Sequence, residues 1–295
     1  MAASIDRTMG RPAARRDGLR GWLFVAPAAV WVVAFFVLPL GIMGLYSLWQ
    51  RVGGKLVTSS PSLDNYVAFF GRDYFLQALT NSLEVTALTT VISILLAYPL
   101  AYILAYQVPA RWQRLALILA ILPFWTSYVV RSYSWLLVLS EGGVISQALL
   151  FIGLTDDPIS FANNRGATIL GFVHFFTMLL TLTIFANLVQ ISPNYRRAAA
   201  DLGASRLQIF LRITLPLSLP GIMVGAFLTF VLAIGDYVTP QILGGNRELL
   251  MPQTIMLQIQ RRADFPMASA MSLVLMLIVS AVFLACARWL KMERV

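Results

Sequence analysis

Hydrophobic residues in this chain fall into long unbroken runs, with little alternation and little three-to-four-residue periodicity. A helix needs roughly 20 apolar residues to cross a hydrocarbon core of about 30 Å. Six runs reach that length, at about 22–48, 80–106, 115–139, 168–191, 217–242 and 267–290. A helix that is apolar all round has no face to give to water, so each run is read as a membrane crossing. The pattern predicts an all-α membrane protein with six transmembrane helices. Arg7, Arg11, Arg15, Arg16 and Arg20 precede the first run, as in a signal peptide. That run is too long, and no clean small-residue cleavage site follows it, so it is read as a retained span. The organisation expected is a basic N-terminal segment at 1–21, a six-helix membrane domain at 22–290 and a short terminus at 291–295.

Composition agrees: 59% of the 295 residues are hydrophobic and 12% charged, against roughly 25% charged in soluble proteins. The net charge of +9 does not point to nucleic acid, because the cations do not gather on a polar domain. They report topology instead. With the N-terminus inside, the inner segments hold 14 of the Lys and Arg residues and the outer loops 7, leaving Arg131 within a span. This bias places both termini in the cytoplasm and implies attraction to anionic lipid. The single cysteine, Cys286, has no intrachain partner for a disulfide, and His174 is the only histidine. No cofactor and no metal site are expected.

One inner connection is long, about 192–216, and its helix punctuation is explicit. Ser192 can cap a helix whose first residue is Pro193, Gly203 can end it in the left-handed conformation, and Ser205 can cap a second helix running through Arg212. Pro216 and Pro220 then bound the entry to the fifth span. Leu202, Leu207, Ile209, Phe210 and Leu211 are too many apolar residues for a solvated linker, so a partner should cover them.

The stretch Ala198-Ala199-Ala200-Asp201-Leu202-Gly203-Ala204-Ser205, followed by Phe210, Ile213 and Leu215-Pro216, resembles the EAA loop of ABC-importer permeases. That resemblance implies a coupling surface, comprising Arg197, Ala198, Ala199, Asp201, Leu202, Gly203, Phe210 and Pro216, docked on a cytoplasmic ATP-binding subunit. Arg197 stands where the family usually has Glu. Pro123-Phe124-Trp125-Thr126-Ser127-Tyr128-Val129-Val130-Arg131 and Gly235-Asp236-Tyr237-Val238-Thr239-Pro240 are similar to the spermidine/putrescine permease type. The likeness implies a multi-pass protein of the bacterial inner membrane that imports a small solute, a polyamine above all. It implies as partners two copies of the ATP-binding subunit, a second and related permease chain, and an external solute-binding protein. The chain has no G-x-x-x-x-G-K-[ST] run, so nucleotide phosphates are expected to be handled by another polypeptide.

Ionisable residues inside a membrane usually meet a partner or line a wet cavity. Counting along the spans puts Arg131, Asp236, Glu84 and His174 at a similar outer depth, which predicts a vestibule open to the outside. Two accounts of Asp236 are open, an ion pair with Arg131 that fixes packing and a place on the solute path. Glu84, Trp125, Tyr128, Arg131, Asp236 and Tyr237 are the candidate path residues. Trp125, Tyr128, Tyr133 and Trp135 form either a cation-binding wall or an interfacial belt, and His174 is read as a hydrogen-bonded packing residue. An ion-coupled secondary transporter is the rival function, but it calls for inverted repeats or broken helices, which the sequence does not show clearly. A purely structural membrane protein leaves the punctuated inner loop unexplained.

Overall fold

The computed structural model describes residues 25–52, 55–57, 61–245 and 248–292. The basic segment 1–21, Gly53-Gly54, Arg247 and the last residues 293–295 lie outside that set. Six described helices are long and apolar enough to cross a membrane. In chain order, α1 is Val25–Ser47, which contains a π-helical turn at Val33–Val37, and a hairpin of β1 (Gln50–Val52) with β2 (Lys55–Val57) follows it. Next come α2 (Asp64–Phe70), the 34-residue α3 (Asp73–Tyr106), α4 (Ala110–Ile121), α5 (Tyr128–Leu139) and α6 (Val144–Phe151). Then follow α7 (Arg165–Leu188), α8 (Pro193–Asp201), α9 (Arg206–Ile234), α10 (Val238–Leu243), α11 (Met251–Gln260) and α12 (Phe265–Met292).

The bundle is built on α3, α7 and α9. Ala97, Tyr98 and Ala101 of α3 pack on Leu180, Ile184 and Leu188 of α7 and Ile222 of α9. Lipid is as apolar as leucine, so helices in a membrane gain contact by close backbone approach at small residues. Gly221 and Gly225, four apart on α9, supply that approach. A Cβ on Gly225 would stand 2.3 Å from Thr183 Oγ1 and 2.7 Å from Leu180 Cδ2, and one on Gly221 would stand 2.5 Å from Asn187 Cβ. A second cluster joins Phe69 and Phe75 to Met251, Met267 and Met271, holding α2, α3, α11 and α12 together.

Three spans depart from expectation. The third was expected as one helix over 115–139, but the chain breaks inside it. Pro123 lacks an N–H and so removes a helix hydrogen bond; α4 gives way to a 3-10 turn at Leu122–Trp125, Thr126 and Ser127 go extended, and α5 starts afresh. The fifth starts eleven residues before the expected 217. Pro216 and Pro220 do not bound it, because a π-helical turn at Phe210–Thr214 absorbs the disruption and the helix runs on through both prolines. It then ends at Ile234 rather than 242, with α10 beginning separately at Val238. At 34 residues, α3 spans about 51 Å, more than the roughly 30 Å a membrane core requires, and so projects beyond it.

Candidate functional site

The two breaks meet. Tyr128, the first residue of α5, donates its hydroxyl hydrogen bond to Asp236, which lies between α9 and α10. The same hydroxyl contacts Thr239 Oγ1. Asp236 is also the cap of α10: its Oδ1 accepts from Val238 N–H at 2.8 Å and its Oδ2 from Thr239 N–H at 3.3 Å. These are the amides a helix start leaves unpaired. Phe175 of α7 forms a wall beside them, stacked on Phe124 at 5.0 Å and edge-on to Tyr128 at 4.9 Å.

The Arg131–Asp236 ion pair, one of the two accounts open for Asp236, is not present among the ion pairs of the described residues. Among the described residues, ion pairs are made by Arg165 alone. The Arg131 guanidinium turns to the Phe175 ring, 5.1 Å from its centroid, and donates from Nη2 to Thr126 O at 3.0 Å, a carbonyl freed by the break. Its Nε and Nη1 are buried without a hydrogen-bond partner. Glu84 is exposed and pairs with Arg165 at 2.9 Å. Arg165 also faces Glu248 at 3.3 Å and donates to Asn81 Oδ1 at 3.0 Å, which ties α3, α7 and the segment before α11 together. His174 accepts from Trp135 Nε1 at 2.9 Å, the packing role read for it.

The four-aromatic wall divides for a geometric reason. Tyr128 and Trp135 are seven residues apart on one face of α5 and turn inward, whereas Trp125 is 87% exposed and Tyr133 also faces out. Tyr237 is half-buried between α9 and α10. Thr239, Phe175 and Arg165 were not among the sequence candidates. For Thr239 a signal existed, since an Asp just before a helix start commonly caps the amides two and three residues on.

At the other end of the bundle the loop forms as its punctuation predicts. Ser192 caps α8, accepting from Asn194 N–H at 3.4 Å, and Pro193 takes the first helical position. Gly203 has φ +83°, and Ser205 with Gln208 makes a capping box of 3.3 and 2.8 Å. The expected second short helix is instead the start of α9, so the loop is continuous with the fifth span. Its apolar residues also divide. Leu202 is 89% exposed and Leu207 65%, whereas Phe210 sits edge-on to Tyr98 and Tyr102 at 5.8 and 5.7 Å and belongs to the bundle. Arg197, Ala198 and Asp201 are exposed, Ala199 is half-buried, and Pro216 is exposed within the helix.

Residues 97–291 match the family model described as binding-protein-dependent transport system inner membrane component. The chain belongs to that family. The permease is 33% identical over 255 residues to the spermidine/putrescine transport system permease protein PotB of Escherichia coli (strain K12), covering 86% of this chain and 92% of that one. PotB of Haemophilus influenzae is 29% identical, with 82% and 84% covered. Molybdenum transport system permease protein ModB of Mycobacterium bovis is 28% identical, with 89% and 92% covered. In fold, the permease superposes on a chain of the bacterial alginate ABC transporter in complex with its pentasaccharide-bound periplasmic protein, with TM-score 0.77, 21% identity, and 92% and 94% covered. It is a multi-pass permease subunit of a bacterial inner membrane, and its relatives are transport proteins rather than enzymes. The matched segment runs from within α3 to α12 and so takes in both the helix breaks and the loop.

Proposed function

We propose that this permease lines the path of an ATP-driven importer for a small organic cation of the polyamine class, spermidine or putrescine. The observation that carries the reading is the junction of the two helix breaks, where a carboxylate, a phenol and the Phe175 ring stand together inside a chain similar to PotB over most of its length. A carboxylate and aromatic faces are the groups that hold a desolvated ammonium. Asp236, Tyr128 and Tyr237 are assigned to the path. Trp125 faces outward and serves as an interfacial anchor, Arg131 holds the break around Thr126, and Glu84 holds the outer ends of the helices through Arg165.

Both termini lie in the cytoplasm in this reading, with 1–21 and 291–295 flanking the permease domain, and the inner loop docks on a separate ATP-binding subunit that performs the hydrolysis. Two copies of that subunit serve a pair of permease chains, this one and a related second chain, while an external binding protein delivers the solute. Gly203 turns the chain between α8 and α9, the exposed Leu202 and Leu207 enter the ATPase groove, and Arg197, Ala198, Ala199 and Asp201 flank them. Phe210 and Pro216 act behind that contact, joining the loop to the fifth span. A permease for another solute type is the second reading, favoured by the 28% identity to ModB.

The test is purification from gently solubilised membranes, with identification of what accompanies the protein. An ATPase subunit, and a binding protein retaining a polyamine, are the expected result. An absent ATPase would overturn the importer reading, and a binding protein retaining an oxyanion would overturn the polyamine assignment alone.

A further inference from the structure

On the inner-loop side of the bundle, the end of α3 and the loop border a half-open cavity of about 770 Å³ whose lining includes Arg196, Arg197 and Arg206 with Tyr102 and Tyr106. Among the described residues its lining contains no acid, and the loop's own acid, Asp201, is exposed and does not line it. Three arginines lining one cavity give it a positive potential, which favours an anion. The geometry is built rather than incidental. Arg196 is half-buried with its guanidinium 4.0 Å from the Tyr106 ring centroid, which holds the planar fork in place, and the Tyr106 hydroxyl is anchored to Leu188 O at 3.0 Å. A planar guanidinium presents paired donors that match the oxygens of a phosphate group.

The position decides the source. Leu202 and Leu207, the apolar residues assigned to the ATPase contact, do not line this cavity; Arg197, which flanks that contact, does, so the two surfaces adjoin on one loop without coinciding. The cavity instead lies against Tyr102 and Tyr106, at the end of the α3 membrane span, with Arg111 and Arg114 exposed on the first turns of α4 just beyond it. Headgroup phosphates occupy that level of a bilayer, and basic pockets beside cytoplasmic helix ends attract them.

We propose that this cavity binds a phosphate group, supplied by an anionic phospholipid of the inner leaflet, and that the bound headgroup ties α8 to the end of α3. The inference needs the proposed orientation only to say which leaflet supplies the lipid, and its test does not read transport.

The test uses the full-length protein in a non-ionic detergent and follows thermal unfolding against short-chain phosphatidylglycerol, short-chain phosphatidylcholine and inorganic phosphate. Phosphatidylglycerol should raise the midpoint and phosphatidylcholine should not. In the double variant Arg197→Gln, Arg206→Gln, whose side chains are exposed and whose folding is therefore kept, apparent affinity should fall roughly tenfold or more. Arg196→Lys, which keeps the charge but loses the fork, should weaken it too, while Arg261→Gln, Arg262→Gln on the far connection should not. An equal response to inorganic phosphate keeps the phosphate site and overturns the lipid source. No response, or one unchanged in the double variant, overturns the site. Loss of the phosphatidylglycerol response on adding the ATPase subunit shows that a protein carboxylate fills the cavity, which overturns the proposal.

Discussion

Replacing Asp236 separates the two duties its carboxylate performs. The group caps α10 through the amides of Val238 and Thr239, and it presents a negative charge beside Tyr128 at the junction of the breaks. Asp236→Ala removes both. Losing an N-cap costs typically about 1 kcal/mol. The Tyr128 hydroxyl keeps its contact with Thr239 and so forfeits one hydrogen bond rather than its whole satisfaction, roughly another 1 kcal/mol. The alanine variant is thus expected to lose about 2 kcal/mol and unfold several degrees earlier. Asp236→Asn keeps an oxygen for the Val238 amide and should stay within about 1 kcal/mol of the parent. If the charge contacts the solute, uptake should fall in both variants, by roughly tenfold or more in Asp236→Asn, the value of one charge-assisted contact. Adding Arg131→Gln should rescue neither stability nor uptake, since the guanidinium is engaged with Thr126 and Phe175. The assays are thermal unfolding in detergent and uptake into vesicles made from the same preparations. Normal uptake in Asp236→Asn would remove the carboxylate from the path, and an alanine variant as stable as the parent would refute the capping argument.

Gly225→Leu should destabilise the bundle by roughly 1–3 kcal/mol, since even its Cβ would stand 2.3 Å from Thr183 Oγ1; thermal unfolding measures it. Gly203→Val has open space for its side chain but a φ of +83°, which costs a β-branched residue more than about 1 kcal/mol. It should insert normally and lose solute-stimulated ATP hydrolysis, and normal stimulation would reject the loop as the coupling element. Leu202→Ala with Leu207→Ala should weaken ATPase co-purification with little change in thermal stability, whereas Phe210→Ala, which removes a ring packed between Tyr98 and Tyr102, should do the reverse.

Much of the fold was legible because a membrane imposes its thickness on the sequence. The fourth span begins and ends three residues from the expected limits, the first ends one residue from its limit and the sixth begins two residues from its own. Hydropathy is blind to a break inside an apolar run, and so Leu122–Trp125 went unseen, although Pro123 stands at its start. The loop's caps were readable from Ser192, Gly203 and Ser205 because capping is local. The burial of Phe210 was not, since it depends on Tyr98 and Tyr102, more than 100 residues earlier. Depth along a helix likewise does not reveal which way a side chain faces. Arg131 and Asp236 were matched in depth, yet one turns to Phe175 and the other to Tyr128.

The central claim is met most directly by ATP-dependent accumulation of radiolabelled spermidine in proteoliposomes holding the permease, its second chain, the ATPase and the binding protein. The account predicts uptake that requires ATP, is displaced by putrescine and ignores molybdate. Failure to accumulate either polyamine while ATP hydrolysis responds to a different solute would contradict it.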